Sequence, residues 1–335
     1  MRAGVAAAVF VALAARPVSG AEPRLVLLGG GRAPEAALAR FVEWAGGRRA
    51  HILVLPWGSV DARDGFEAVR DSLRPFAPGV VEAAPSAPLR EDARAELRRR
   101  LERATGIFLA GGDQQRLLDA LSDDVVAAGV RARYRAGAAV AGSSAGTAVI
   151  STLAITGEGD FAVIDARQVG VRAGLGLLPG VILDQHFIRR QRENRLFSLV
   201  LAHPRLLGVG IDEGAALLVR AGRHAEAVGG QVMAVDGSHR AELRVSILNP
   251  GETFDLEKRK RGRAADRVIP FAEASDDGHG RRSRGDSPGR AGRIAGAPGN
   301  SAHLGRAGGE RALHDPGHVD TTPWTLRRGR DDRQP

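Results

Sequence analysis

The sequence of 335 residues contains no cysteine, and this absence excludes several classes of protein. Without cysteine the chain can have no disulfide framework, no thiolate-bound zinc or iron–sulfur site, and no thiol nucleophile. Long apolar runs are absent as well, since none reaches the roughly 18–20 residues that a membrane-spanning helix needs. We therefore expect no membrane span.

Lysine is nearly absent, because it occurs only at Lys258 and Lys260 among the 48 basic residues. The charge is also uneven. Residues 257–335 contain 17 Lys and Arg against 11 Asp and Glu, which accounts for most of the net charge of +9. The remaining chain is close to neutral, so the basic composition is poor evidence for a nucleic-acid-binding fold. It does allow one alternative function, a catalytically idle domain whose basic tail binds polyanions.

The first 21 residues have the pattern of a signal peptide. Arg2 precedes an apolar stretch at residues 3–15, and small residues follow at 19–21. This run is too short for a transmembrane helix and fits the apolar region of a secretory signal. The pattern predicts a secreted or periplasmic protein.

Residues 22–256 alternate short apolar strands with helical segments, as at 24–28, 51–55 and 106–110. Continuous apolar strands separated by helices indicate a mostly parallel sheet covered on both faces. The predicted fold class is therefore α/β with three layers, and the closely spaced strands near its end allow an antiparallel edge. After residue 256 the chain is rich in Gly, Arg, Asp and Pro, and we expect residues 257–335 to be disordered.

A nucleophile elbow is predicted at residues 142–146, Gly-Ser-Ser-Ala-Gly, between a strand and a helical run. Small neighbours permit the sharp turn that exposes a serine hydroxyl, and the helix N-terminus stabilises negative charge there. The spacing makes Ser144 the central serine, with Ser143 as the alternative. An oxyanion hole needs backbone N–H donors close by, and Gly112 and Ala145 are the candidates.

A serine nucleophile needs a general base, and His186 is the best candidate. It follows the apolar strand 181–183 after Asp184 and Gln185, and open parallel sheets build their sites at the carboxyl ends of strands. The other histidines of the domain have less suitable positions: His51, His203, His224 and His239.

The base in turn needs a carboxylate that orients its ring. Glu213 follows another apolar strand, and Asp212 and Asp184 are alternatives. The resulting order of serine, histidine and glutamate differs from the Ser–Asp/Glu–His order of α/β-hydrolases, which argues against a lipase or esterase.

Arginines follow the candidate base closely, at Arg189, Arg190, Arg192 and Arg195. Guanidinium groups bind carboxylates in a two-pronged geometry, so this cluster indicates an acidic substrate group. The run of glycines at 29–31 lacks the spacing of a dinucleotide-binding motif, and neither a phosphate-binding loop nor a zinc-peptidase motif is present. We expect neither a cofactor nor a metal.

Four motifs in this order resemble those of the cyanophycinase family. They are Gly111-Gly112-Asp113-Gln114, Gly142-Ser143-Ser144-Ala145-Gly146, Asp184-Gln185-His186-Phe187 with the arginines that follow, and Gly210-Ile211-Asp212-Glu213. The resemblance covers residues 24–256. Cyanophycinases are serine exopeptidases related to peptidase E, and the resemblance implies their fold, which is like that of class I glutamine amidotransferases.

The resemblance also implies roles for individual residues. Ser144 would be the nucleophile, His186 the base and Glu213 its partner. The implied substrate-binding residues are Gln114, Asp184, Gln185, Arg190, Arg192 and Arg195. The implied substrate is cyanophycin, a polyaspartate with arginine amide-linked to each β-carboxylate, and the product is the β-Asp-Arg dipeptide. A homodimer is also implied, with no requirement for nucleic acid, and an aspartyl or isoaspartyl dipeptidase of the same fold is the alternative enzyme.

Overall fold

The computed structural model describes residues 22–159, 162–239 and 242–262. The signal peptide predicted over residues 1–21 lies outside these residues, and so does the predicted tail from residue 263 onward. Within the described residues, no helix is long and apolar enough to cross a bilayer.

The described chain alternates strands and helices over most of its length. The strands are β1 (Arg24–Leu28), β2 (His51–Leu55), β3 (Val80–Ala83), β4 (Gly106–Leu109), β5 (Ala139–Ser143), β6 (Leu153–Gly159), β7 (Val169–Ala173), β8 (Val181–Gln185), β9 (Leu207–Ile211), β10 (Ala216–Arg220), β11 (His224–Val228), β12 (Val232–Asp236), β13 (Arg244–Leu248), β14 (Thr253–Asp255) and β15 (Lys260–Arg261). The helices are α1 (Glu35–Trp44), α2 (Ala62–Leu73), α3 (Glu91–Arg103), α4 (Gln114–Leu121), α5 (Asp124–Arg135), α6 (Ala145–Ala148) and α7 (Glu193–Ala202).

Aspartates define the start of three helices. The side chain of Asp61 accepts hydrogen bonds from the first turn of α2, and Asp113 and Asp123 do the same for α4 and α5. Each carboxylate satisfies backbone N–H groups that have no partner within the helix. Asp113 thereby places α4 directly after the Gly111–Gly112 turn.

The main sheet has nine strands in the order β15-β14-β11-β10-β1-β5-β4-β2-β3. The half from β1 to β3 is parallel, whereas the half from β10 to β15 is antiparallel. The predicted α/β fold is confirmed, and its antiparallel edge is larger than the sequence indicated. Because β15 pairs with β14 at residues 260–261, ordered structure extends past the predicted domain end at residue 256.

Several of the strands from β6 onward do not join this sheet. β8 and β9 are parallel neighbours in a second sheet of order β13-β12-β9-β8, while β6 and β7 form a separate hairpin. The described strands therefore form a main sheet, a second sheet and a two-stranded hairpin in place of the single sheet expected from the sequence. This division matters for the site, because the serine follows β5 of the main sheet whereas the histidine and the glutamate follow β8 and β9.

Alternating side chains of β1 show how the layers pack. Val26 and Leu28 belong to an apolar cluster with α1 and α2 on one face of the main sheet. Leu25 and Leu27 belong to a larger cluster on the other face, which includes α3, α4, α5 and the strands β8 and β9. Strand residues point alternately to opposite faces, so a fully apolar strand can bury both. The second sheet packs against α7 through a third cluster.

Candidate active site

Ser144 occupies a sharp turn between β5 and α6. Its backbone has φ 53° and ψ −116°, a combination that L residues rarely adopt. The turn is tied to the neighbouring strand because the Ser144 N–H donates to the Leu28 carbonyl at 3.1 Å. This is the geometry of a nucleophile elbow, in which the hydroxyl projects beyond the end of the sheet.

The glycines of the elbow are required by close backbone contacts. A Cβ on Gly142 would lie 2.5 Å from the carbonyl oxygen of Gly146, and one on Gly146 would lie 2.0 Å from that of Leu109. The Thr147 hydroxyl lies 2.7 Å from the carbonyl oxygens of both Leu28 and Gly142, which it contacts from the first turn of α6. The helix can therefore approach the strands closely and point its N-terminus at Ser144.

The structure brings Ser144, His186 and Glu213 together. The Ser144 Oγ lies 2.8 Å from His186 Nε2, and His186 Nδ1 lies 2.5 Å from Glu213 Oε1. His186 follows β8 with a left-handed backbone, φ 49°, and its N–H donates to the Gly29 carbonyl at 2.8 Å. A hydroxyl, an imidazole and a carboxylate in this order can activate the serine as a nucleophile.

Glu213 is the carboxylate that faces the imidazole, which decides among the alternatives left open by the sequence. The Asp212 side chain accepts a hydrogen bond from the Arg189 N–H at 2.9 Å. Asp184 pairs with Arg195. Only Glu213 among the three is bonded to His186 in the described part of the chain.

His186 is held neutral by its surroundings. It is only 7% exposed, and this burial is the main cause that lowers its pKa below the ordinary 6.5. The hydrogen bond with Glu213 raises the pKa, whereas the positive charges of Arg190 and Arg192 lower it. The same hydrogen bond lowers the pKa of Glu213, so this carboxylate is ionised at neutral pH. A neutral imidazole beside an ionised carboxylate is the state that a general base requires.

The glycines at residues 29–31 form a surface against which the base packs. Gly30 has φ +107°, and a Cβ there would lie 2.3 Å from the Cε1 atom of His186. A Cβ on Gly31 would lie 3.2 Å from the Cβ of Glu213. The glycine run at the end of β1 is the sequence signal for this role, and a comparison with dinucleotide-binding motifs alone does not detect it. Its role is to leave room for the imidazole and the glutamate.

Gln185 and Arg192 lie beside the serine. The Gln185 Oε1 is 3.4 Å from Ser144 Oγ, and one Arg192 nitrogen donates both to that Oε1 at 2.8 Å and to the Gln185 carbonyl at 2.7 Å. Burial lowers the pKa of Arg192 to about 10, which is still high enough to keep its guanidinium charged at neutral pH. Arg192 therefore fixes the Gln185 amide and places positive charge near the nucleophile.

Four residues predicted to contact substrate are buried, and among them Gln185, 1% exposed, is the one that lies beside the serine. Asp184 and Arg195 are 1% and 0% exposed and form an ion pair with each other, with Arg195 Nε 2.7 Å from an Asp184 oxygen. Gln114 is 9% exposed, and its amide donates to the Ile155 carbonyl at 2.8 Å. These contacts use the polar groups to hold β8, α7 and β6 in place, and direct substrate contact by Asp184, Arg195 and Gln114 stays a prediction. Arg190, in contrast, is exposed.

The candidate oxyanion donors lie next to the elbow. Ala145 directly follows Ser144 at the start of α6, and Gly111 is close enough that a Cβ on it would lie 3.3 Å from the Ser144 Cβ. Gly112 has φ +127° and lies against Gly58. The Gly111–Gly112 turn is therefore beside the nucleophile, and the assignment of the Gly112 and Ala145 N–H groups as the oxyanion hole stays a prediction.

Known proteins are similar to this chain in sequence and in fold. Residues 25–227 match the model of peptidase family S51. The chain is 36% identical to a cyanophycinase of Trichormus variabilis over 243 residues, which is 66% of this chain and 80% of that protein. It is 33% identical to a cyanophycinase of Synechococcus elongatus over 237 residues, 65% of this chain and 74% of that protein.

Among solved structures, a peptidase from an acI-B1 Actinobacterium has the same fold, with a TM-score of 0.55 and 22% identity. The similarity covers 70% of this chain and 98% of that peptidase. The match of the family model over most of the folded domain, together with the identity to two curated relatives, decides the classification. The chain belongs to peptidase family S51 and is a serine-type peptidase.

Proposed function

We propose that this protein is a cyanophycinase, an exopeptidase that releases β-Asp-Arg dipeptides from cyanophycin with Ser144 as its nucleophile. The observation that carries the proposal is the hydrogen-bonded series from Ser144 through His186 to Glu213, in a chain whose curated relatives are named cyanophycinase. Each arginine of cyanophycin carries a free α-carboxylate, and these carboxylates are compatible with the positive charge of Arg189, Arg190 and Arg192 around the base.

The proposed mechanism begins when the Ser144 oxygen attacks the carbonyl carbon of an aspartyl peptide bond. His186 Nε2 takes the hydroxyl proton, and Glu213 stabilises the imidazolium through Nδ1–H. The negative oxygen of the tetrahedral intermediate faces the N–H groups of Gly112 and Ala145. As the intermediate collapses, the C–N bond breaks and His186 gives its proton to the leaving amine, which leaves an acyl-enzyme on Ser144.

Water completes the cycle. It gives a proton to His186 and attacks the acyl carbon, and the second tetrahedral intermediate collapses with return of the proton to the Ser144 oxygen. The C–O bond to the serine breaks and a free carboxylate forms. Arg192 contributes indirectly in this scheme, because it orients the Gln185 amide next to the serine oxygen.

The test is to incubate the purified protein with insoluble cyanophycin and to identify soluble products by mass spectrometry. We expect the parent protein to release β-Asp-Arg and the Ser144→Ala variant to release none while keeping its fold. Ser143→Ala is the matched control, because it removes the neighbouring hydroxyl and should retain activity. Equal release by Ser144→Ala would refute the mechanism. Cleavage of small aspartyl or isoaspartyl dipeptides without release from the polymer would favour the dipeptidase alternative.

We also propose that the protein is exported and acts on cyanophycin outside the cell as a homodimer. Export is motivated by the signal-like pattern of residues 1–21, and the dimer by the resemblance to cyanophycinases. Fractionation of the producing cells with N-terminal sequencing tests export, because cleavage near residue 21 should accompany it. Sedimentation analysis of the purified protein tests the dimer.

A further inference from the structure

A cavity adjoins the nucleophile on the opposite face of the main sheet from β8 and β9. It has a volume of about 640 Å³ and lies between α1 and α2, at the carboxyl ends of β1, β4 and β5. Small-molecule sites usually have volumes of about 300–1,000 Å³, so this cavity has room for part of a peptide substrate. Of its lining residues, the proposed catalytic steps use only Gly112.

The cavity reaches the catalytic residues through two glycines that line it, Gly31 and Gly111. A Cβ on Gly111 would lie 3.3 Å from the Ser144 Cβ, and a Cβ on Gly31 would lie 3.3 Å from Glu213 Oε2. Gly31 and Gly111 therefore line the cavity and also lie against the two ends of the Ser144–His186–Glu213 series. An occupant of the cavity can belong to the same molecule that the serine attacks.

The walls of the cavity are apolar on the protein side, and toward solvent they carry two carboxylates and the guanidinium of Arg32. Leu38, Phe76 and Phe108 contribute apolar surface, and all three pack in the cluster between the sheet and the two helices. Glu35 and Asp71 also line it, with exposed side chains. An arginine side chain matches such walls, because its aliphatic stem can cover apolar surface while its guanidinium binds a carboxylate.

The charges around the serine explain why a guanidinium would bind here. Arg189, Arg190 and Arg192 surround the base and repel a second positive group. Asp184 is the acidic member of the predicted substrate-binding residues, but it is buried and bonded to Arg195. The acidic side chains of this cavity therefore offer a more accessible partner.

We propose that this cavity binds the arginine side chain of the substrate, an inference that rests on the proposed cyanophycinase function. Asp71 receives the guanidinium, and Glu35 is a second carboxylate in the wall of the cavity. Arg32, which also lines the cavity and lies 3.1 Å from Glu35, pairs with the α-carboxylate that the arginine carries. Exposed ion pairs such as Arg32–Glu35 and Arg70–Asp71 are weak, so a substrate group can replace one partner.

The test compares two synthetic aspartyl peptides that differ only in the group on the β-carboxylate, arginine or the neutral isostere citrulline. Asp71→Asn should raise KM for the arginine peptide about three- to tenfold, as expected for losing one partly exposed charge-assisted hydrogen bond. KM for the citrulline peptide and kcat for both should stay unchanged. Glu67→Gln is the matched control, because it removes a carboxylate from the same helix outside the cavity and should change neither KM.

A second variant tests occupancy without changing charge. Ala68 lines the cavity with an exposed side chain, so Ala68→Trp fills the space without disturbing the core. It should raise KM for both peptides. Equal KM values for parent, Asp71→Asn and Ala68→Trp, in a protein that cleaves the arginine peptide, would overturn this inference and leave the cyanophycinase function intact. Failure of the parent protein to cleave either peptide or the polymer would overturn both.

Discussion

Gly30 gives the sharpest test of how tightly the base is held. The ideal Cβ position on Gly30 lies 2.3 Å from His186 Cε1 and 2.5 Å from Nε2, whereas ordinary contacts of a Cβ begin near 3.4 Å. Gly30→Ala therefore requires the ring and the Gly30 backbone to move apart by about 1 Å. A misplacement of this size in a catalytic group can cost about 100-fold in rate. We expect kcat for peptide hydrolysis to fall by about that factor.

The variant also places an L residue at φ +107°, and this cost must be separated from the contact with the ring. Left-handed backbone strain of this kind costs about 1–2 kcal/mol. Gly46→Ala is the matched control, because Gly46 has φ +114° and a Cβ there would meet its nearest neighbour at 3.5 Å, an ordinary contact. Both variants should lose similar amounts of stability, and only Gly30→Ala should lose activity.

The assay is steady-state hydrolysis of an aspartyl-arginine peptide, with thermal unfolding of each variant measured in parallel. We also expect the loss of activity at low pH to move to lower pH in Gly30→Ala, because displacing the ring from Glu213 weakens the hydrogen bond that raises the pKa of His186. Full activity in Gly30→Ala, with a melting temperature like that of Gly46→Ala, would refute the view that this glycine positions the base.

Two further predictions concern pH and stability. Because His186 must be neutral and its pKa lies below 6.5, activity should be present above that pKa and be lost as pH falls through it. Arg190 lowers this pKa and Glu213 raises it, so Arg190→Gln should move the loss of activity to higher pH and Glu213→Gln to lower pH. A pH–rate profile unaltered by both changes would contradict His186 as the base. Asp184→Asn should lower the free energy of unfolding by about 3–5 kcal/mol, measured by urea denaturation, because it leaves the charge of Arg195 buried beside a neutral group. A loss below 1 kcal/mol would show that this pair is not structurally important.

Much of the site follows from local sequence. The small residues around Ser144 predict an elbow because only a chain with little side-chain volume can turn so sharply between strand and helix. His186 and Glu213 each follow an apolar strand, and this position alone identified them as residues of a sheet edge. What the local pattern could not decide was which of Asp212, Glu213 and Asp184 would face the imidazole, since all three stand at strand ends.

The sequence does not show which polar residues are buried. Asp184, Arg195 and Gln114 have the side chains of a binding site, yet they are used inside the protein to join β8 to α7 and α4 to β6. A motif shows that a residue type is needed at a position but not whether it is exposed. Burial depends on how α7 packs over the second sheet, which is a long-range property.

By itself, the sequence determined the α/β fold class, the elbow at Ser144 and the strand-end positions of the base and its carboxylate, because each follows from the apolar pattern and residue sizes of a few neighbouring positions. Only the tertiary structure decided that the serine and its partners come from two different sheets and that Gly30 leaves room for the imidazole. It also decided that Glu213, not Asp212, completes the series. These outcomes depend on contacts between segments far apart in the chain, and such contacts are set by the packing of the whole domain.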